Sequence, residues 1–454
     1  MDVTDAAVLD AAELLEVFRR GELTPLQALQ GVTERIARRN PEINAFATLN
    51  PGALDAARES TQRWQAGAAR PLEGLPVTVK DLIDVAGLPT RRGSKTTDPA
   101  PVAQDAPLVA ALRQAGAVII GKTTTTEFGW KSPGDSPLHG ITRNPWNVAH
   151  TPGGSSSGAA AAAASFFGPL HVGTDGGGSI RIPAAWSGVV GLKPTFGRVP
   201  QWPLGAFGPV AVAGPIGRSV RDVALLLSAM AGFNPADPFS LPEPRRDFCA
   251  GLEEGVKGLR IGILRRPGFD APADEAAWAA VEEARAILAG QGAAIFEIAP
   301  ELPDVSQLFA KLWGVALAKA VGEVAQDQRA LMEPGLLAVA ARFRDVSGLE
   351  LLEAEAARVQ AAHEMAALEV DAILCPCVPH AAPLADAQVP DAVAALVQNW
   401  APWTVLFSLT RQPAVSLPMG VDAAGLPMAV QIAAPLYRDD VVLRVARAVE
   451  RGLG

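Results

Sequence analysis

Three cysteines, five histidines and one tyrosine among 454 residues leave several chemistries without their usual residues. Cys249, Cys375 and Cys377 are too few and too clustered for a disulfide framework. Cys375-Pro376-Cys377 is C-x-C, which matches neither a thioredoxin-like pair nor a zinc knuckle. The histidines are scattered, and His363-Glu364 lacks the second histidine of H-E-x-x-H, so no metal site and no cofactor are expected. No uninterrupted apolar run approaches the ~18 residues of a membrane span. The N-terminus, MDVTDAAVLDAAELLEVFRR, has early acids and no apolar stretch, and does not read as a signal peptide. The expectations are no membrane association and a reducing cytoplasm. A basic excess is missing too: the net charge is −9, which disfavours a general nucleic-acid role. There is no internal repeat, and the six alanines at 159–164 are the only low-complexity run.

Apolar residues are plentiful. A hydrophobic share of 49% with 19% charged residues fits a compact globular protein. Thr24-Pro25-Leu26-Gln27 is a capping box with proline at the first helical position. Leu26, Leu29, Val32 and Ile36 then share one face, and Asn40-Pro41 is expected to close that helix. Leu75 to Val79 is a short apolar run rich in β-branched residues, a buried strand with Lys80 at its end. Pro107 to Ala115 reads as a helix and Ala117 to Ile120 as a strand. Ser156 to Phe167 reads as a helix on alanine propensity, Leu170 to Thr174 as a strand, and Asp175 to Ser179 as a turn. Ser219 to Gly232 is a helix capped by Ser219 with Asp222. A second α/β stretch opens at 259–264, 305–370 is mostly helical, and Asp371 to Leu374 and Ala414 to Leu417 are strands. Strand–helix alternation implies the α/β class, a sheet with helices on its faces. One domain over 1–454 is expected: an N-terminal helical region (1–60), a catalytic core (61–232), a proline-rich crossing (233–250), an α/β and helical subregion (251–400) and a return to the core (401–454).

The densest chemistry lies between Gly153 and Pro194, in GGSSSGAAAAAASFFGPLHVGTDGGGSIRIPAAWSGVVGLKP. Ser155 follows Gly153-Gly154, and Ser179 follows Gly176-Gly177-Gly178. Glycine lets a backbone come close to a ligand, and successive N–H groups in such a turn form a nest for negative charge. A serine at the end of the nest can attack a carbonyl whose oxyanion the nest then holds. On the residues alone, other readings compete. The two turns can be ordinary tight turns that contain serine. Gly154 to Gly158 satisfies G-x-S-x-G, the nucleophile elbow of an α/β-hydrolase-like esterase with Ser156 as nucleophile. The HTPGG before it is no strand, however, and His363 and His380 lack a convincing context. No G-K-[ST] closes either glycine run, against a phosphate loop. Lys80 by itself reads as a surface lysine paired with Asp81 or Asp84. Asp175 and Arg181 flank the turn, either as an ion pair that holds it or with Arg181 forked onto a substrate carboxylate.

The same stretch resembles the amidase signature family. The family's hallmark runs match Gly153 to Gly158, Gly173 to Pro183 and Gly191 to Thr195, and its upstream lysine matches Lys80 in GLPVTVKDLIDVAG. The similarity continues through GKTTTTEFGW, TRNPWN, QPAVSLP and GLPMAVQ. The resemblance implies a large, mixed, twisted β-sheet covered by helices on both faces. It implies amide hydrolysis through a serine acyl-enzyme, releasing ammonia or an amine. Ser179 would be the nucleophile, Ser155 the relay after a cis peptide bond, and Lys80 the ultimate base, kept neutral by burial behind Val77 and Val79. The N–H groups of Gly176, Gly177, Gly178 and Ser179 would form the oxyanion hole, and Thr151, Gly154 and Ser156 would support the site. Two departures stand out. Gly176 replaces the usual threonine, which would loosen the oxyanion turn. Arg411, in FSLTRQP, stands where relatives carry glycine, either at the substrate pocket or on the surface. The implied partner is a small-molecule amide, and a homodimer is left open. The rival implied role is the glutaminase (A) subunit of a tRNA-dependent amidotransferase, which works with other subunits. An inactive binding protein on the same scaffold is a third, against which the intact Lys80, Ser155 and Ser179 set argues.

Overall fold

The β-branched runs form strands in a computed structural model of the chain, which describes residues 5–205, 207–386 and 393–454. Eleven strands make one mixed sheet. In chain order they are β1 Phe46–Leu49, β2 Pro76–Lys80, β3 Val118–Thr123, β4 Leu170–Asp175, β5 Val190–Lys193, β6 Val212–Gly217, β7 Arg260–Leu264, β8 Ala294–Ile298, β9 Ala372–Pro376, β10 Ala414–Val421 and β11 Pro427–Ala433. Their order across the sheet is β1-β3-β2-β4-β6-β5-β10-β11-β9-β7-β8. β2 runs parallel to both β3 and β4, and β4 meets β6 antiparallel. Lys80 and Asp175 therefore leave the sheet at the carboxyl ends of neighbouring parallel strands, where sites in α/β sheets gather.

Alternate residues of β3 enter different cores, as the two-residue period of a strand requires. Ile119 joins a cluster with Leu14, Leu108 and Val223 from helices on one face, while Val118 and Ile120 join Leu29, Val32 and Ala162 on the other. Helices thus cover both faces. The helix Ser157–Ala164 lies against β2, β3 and β4, and its alanines from Ala159 to Ala163 are completely buried. It ends before the expected Phe167. Phe166 turns into the left-handed region at φ 60°, which lets Phe167 bury against Phe46 with ring centroids 6.0 Å apart.

The helix Pro25–Ile43 starts on the expected capping box, with Thr24 and Gln27 capping each other reciprocally. It runs through Pro41, past its expected stop. A proline in the last turn forfeits few helical bonds, and burial of Ile43 offsets that loss. Asn44, at φ 56°, then ends the helix. Val305–Gly322, Pro334–Phe343 and Gly348–Ala366 fill the stretch expected to be helical, and the first carries Phe309 and Trp313 to the glycine-rich loop. Among the described residues no helix is long and apolar enough to cross a membrane.

Candidate active site

β2 carries Lys80 into the interior, where it is 0% exposed. Its Nζ lies 2.7 Å from Ser155 Oγ, 2.9 Å from Ser156 Oγ and 2.9 Å from Thr174 Oγ1. Burial pushes the amine well below the ordinary lysine range, against the pull of the Asp175 charge. The Ser156 hydroxyl proton goes to the Thr174 carbonyl at 3.1 Å, so Ser156 only accepts from Lys80. Ser155, at the shortest distance, is placed to exchange a proton with the neutral amine. The surface pairing of Lys80 is not found: Asp81 pairs instead with Lys122 at 3.0 Å.

The Gly154–Ser155 peptide bond is cis. Thr151 Oγ1 accepts from Gly134 N at 2.9 Å and from Gly153 N at 3.1 Å, so it orders the loop leading to Ser155 and does not touch Lys80. Ser179 is half-buried and lines the same narrow cavity as Ser155, of about 70 Å³. Ser179 Oγ makes no hydrogen bond among the described residues. The two serine loops are joined through backbone, Ser156 N donating to Ser179 O at 3.1 Å.

Among the described residues the N–H groups of Gly176, Gly177 and Ser179 have no acceptor, and all three residues line the cavity. Gly178 is the expected fourth donor, and here the structure differs. At φ 135° its N–H turns back to Asp175 Oδ1 at 2.7 Å, which takes it out of the set. Thr404 Oγ1 donates to Gly177 O at 2.6 Å, and Phe207 covers Gly176, so the loop is held at the position expected to loosen it and at the next residue. Phe309 approaches Gly177 so closely that a Cβ there would lie 2.3 Å from the ring.

Arg181 does not line the cavity. Its Nε and Nη2 fork onto Asp175 at 2.9 Å each, Nη1 donates to Thr404 O and Gln431 Oε1, and Nη2 also donates to Ser408 Oγ. All five guanidinium protons are committed, and the side chain is 0% exposed. Burial pushes the Asp175 carboxyl up, but the charge and hydrogen bonds of Arg181 outweigh it and hold Asp175 below its usual range. The ion-pair reading stands and the substrate-carboxylate reading falls. Arg411 also lies away from the cavity, its guanidinium 4.4 Å over the Phe196 ring. Its φ of 62° is left-handed, the conformation that glycine adopts with least strain, which fits the glycine that the family resemblance leads one to expect there. Ser156, fully buried behind a loop and not a strand, is no nucleophile elbow, and no histidine among the described residues lines the cavity.

Sequence reasoning missed Thr174 and the cavity wall. Thr174 sits inside the Gly173-Thr174-Asp175 run, so its place next to Asp175 is a usable signal. The wall is aromatic: Trp313 stacks on Trp130 at 6.3 Å and on Phe309 at 6.0 Å, with Phe207 and Trp400 beside them. These rings come from distant segments, and no local pattern joins them. Among the described residues Lys131 is the one charged residue lining the cavity, and its Nζ is bound to Asp135 at 2.8 Å and to Glu333.

The sequence matches the Amidase family profile over residues 27–443. Among curated relatives, the glutamyl-tRNA(Gln) amidotransferase (A) subunit of Pseudomonas fluorescens is 34% identical, covering 96% of this chain and 95% of its own. Among solved structures, a 6-aminohexanoate cyclic dimer hydrolase is 30% identical with a TM-score of 0.89, over 100% of this chain and 98% of that one. A bacterial aryl acylamidase of the amidase signature family superposes with a TM-score of 0.89 at 25% identity, over 98% and 96%.

Proposed function

The chain belongs to the amidase signature family, and from that membership we propose that it hydrolyses a carboxylic amide with a small, apolar acyl half, using Ser179, Ser155 and Lys80. The observation that carries this reading is the completely buried Lys80 Nζ 2.7 Å from Ser155 Oγ, with Ser155 and Ser179 opening on one cavity. Ser179 Oγ attacks the carbonyl carbon as its proton passes to Ser155 and the Ser155 proton passes to Lys80 Nζ. The N–H groups of Gly176, Gly177 and Ser179 receive the oxyanion, a contribution of ~3 kcal/mol per donor. The C–N bond breaks as the relay returns a proton to the departing nitrogen. Water, activated by the same relay, then hydrolyses the acyl-enzyme. A cavity of about 70 Å³ walled by Trp130, Phe309, Trp313 and Ile182 supports a small apolar acyl group.

A second reading has its own support. The curated relatives named as amidotransferase (A) subunits match nearly the full chain at 34–36% identity, which favours a glutamine-cleaving role with protein partners. Against it, glutamine brings an ammonium and a carboxylate, and the one charged lining residue among the described residues, Lys131, is already bound to two carboxylates. The test is ammonia release by the purified lone chain from small aliphatic amides and from glutamine. Turnover of propionamide by the lone chain supports the hydrolase. Glutaminase activity that appears only with added partner proteins supports the second reading and overturns the first.

A further inference from the structure

A second cavity, of about 500 Å³, adjoins the catalytic one of about 70 Å³, and the two share Leu82, Thr174, Phe207 and Ala211 as walls. Two walls of the junction, Leu82 and Thr174, border the relay, and a third, Phe207, covers Gly176 of the oxyanion loop. A Cβ on Gly129 would sit 3.1 Å from Leu82 Cδ1 and 3.2 Å from Ser155 Oγ, so Leu82 and the relay serine border the same spot. Thr174, another shared wall, bonds Lys80 Nζ through Oγ1 at 2.9 Å. The aromatic wall lies toward the oxyanion loop, where Phe309 presses on Gly177. A relay that protonates the departing nitrogen must face that nitrogen. The amine half of a bound amide is therefore directed past Leu82 into the larger cavity, and the acyl half toward the aromatic rings.

The larger cavity contains Asp84, which is half-buried and makes no side-chain hydrogen bond or ion pair among the described residues. The Lys122 charge acts on Asp84, but no ion pair forms between them. Lys122 is paired with Asp81, Lys319 with Glu323, and Arg92 is exposed. The Asp84 carboxylate is therefore available to a cationic donor that a ligand brings into the cavity. Resting on the amide-hydrolase reading, we propose that the larger cavity is the amine-side subsite and that Asp84 selects amides whose amine half ends in a cation.

Four probes test this: acetamide, N-pentylacetamide, N-(4-aminobutyl)acetamide and hexanamide. The second and third differ only in a terminal methyl or ammonium group. N-pentylacetamide should exceed hexanamide in kcat/KM by tenfold or more, because the larger group belongs on the amine side. The aminobutyl amide should show a KM at least tenfold below that of its pentyl isostere, and Asp84→Asn should bring that ratio close to one. A preference for hexanamide, or an isostere ratio that Asp84→Asn leaves in place, overturns the proposal. Titration of 1,4-diaminobutane into Ser179→Ala and into Ser179→Ala with Asp84→Asn separates this from failure of the hydrolase reading. The diamine should bind the protein that keeps Asp84 at least tenfold tighter, and equal binding refutes the subsite even if none of the amides is cleaved.

Discussion

Arg181 and Asp175 show how one buried ion pair shapes a catalytic loop without touching substrate. Asp175 binds both the Arg181 guanidinium and the N–H groups of Gly178 and Ile180, so the carboxylate sets the turn that presents Ser179. A lysine at position 181 cannot fork, and it leaves Asp175 buried and under-compensated. Arg181→Lys should cost roughly 3–5 kcal/mol, the scale for breaking a buried pair, and thermal denaturation should show a correspondingly lower Tm. An unchanged Tm would mean that the pair is dispensable. Ser179 Oγ makes no hydrogen bond among the described residues, so Ser179→Ala should fold normally and lose amide turnover. A serine-directed fluorophosphonate should label Ser179 in the unmodified protein, read by peptide mass, and labelling at Ser156 instead would return the nucleophile-elbow reading.

Helix Val305–Gly322 packs Phe309 onto the oxyanion loop, which couples a helix distant in sequence to the donors of the site. Gly177→Ala should lower kcat by tenfold or more through that contact, and adding Phe309→Ala should recover part of the loss; purely additive effects would show that the two do not communicate. A second coupling joins helices Ala11–Arg19 and Val220–Met230, where Asp222 Oδ1 accepts from Ala11 N at 2.8 Å. Burial raises the Asp222 pKa from 3.8 to about 7. The folded state thus holds this proton more tightly than the unfolded one. The stabilisation is full below the unfolded value and is lost as pH rises through about 7. Asp222→Asn keeps the acceptor without the charge, so Tm scans from pH 4 to pH 8 should show the unmodified protein losing ground steadily to the variant. What the sequence made legible here was local: the Thr24 cap, the strand that buries Lys80, the alanine helix and the serine loops all follow from short-range patterns. Pro41 misled because Ile43 packs into a core no local pattern reveals. Gly178 misled because a backbone torsion decides where an N–H points. The aromatic wall stayed invisible because its rings meet only after the sheet has assembled.

The full fold acts on one amine. Lys80 emerges from a strand in the interior of an eleven-stranded sheet, beneath a helix of alanines small enough to lie close, and its side chain is 0% exposed. Burial lowers its pKa far below that of an ordinary lysine, which is what lets a lysine serve as a base at all. Activity then needs the unprotonated amine, so kcat/KM must rise with pH through the Lys80 pKa of the free enzyme and level off above it. The pH dependence of kcat/KM on one small amide, for the unmodified protein and for Lys80→Arg, is the deciding measurement. The arrangement described here predicts an acid limb well below the ~10.4 of an exposed lysine and a loss of a thousandfold or so in Lys80→Arg, since arginine stays protonated and cannot take the relayed proton. Near-normal turnover by Lys80→Arg, with the acid limb unmoved, would contradict it.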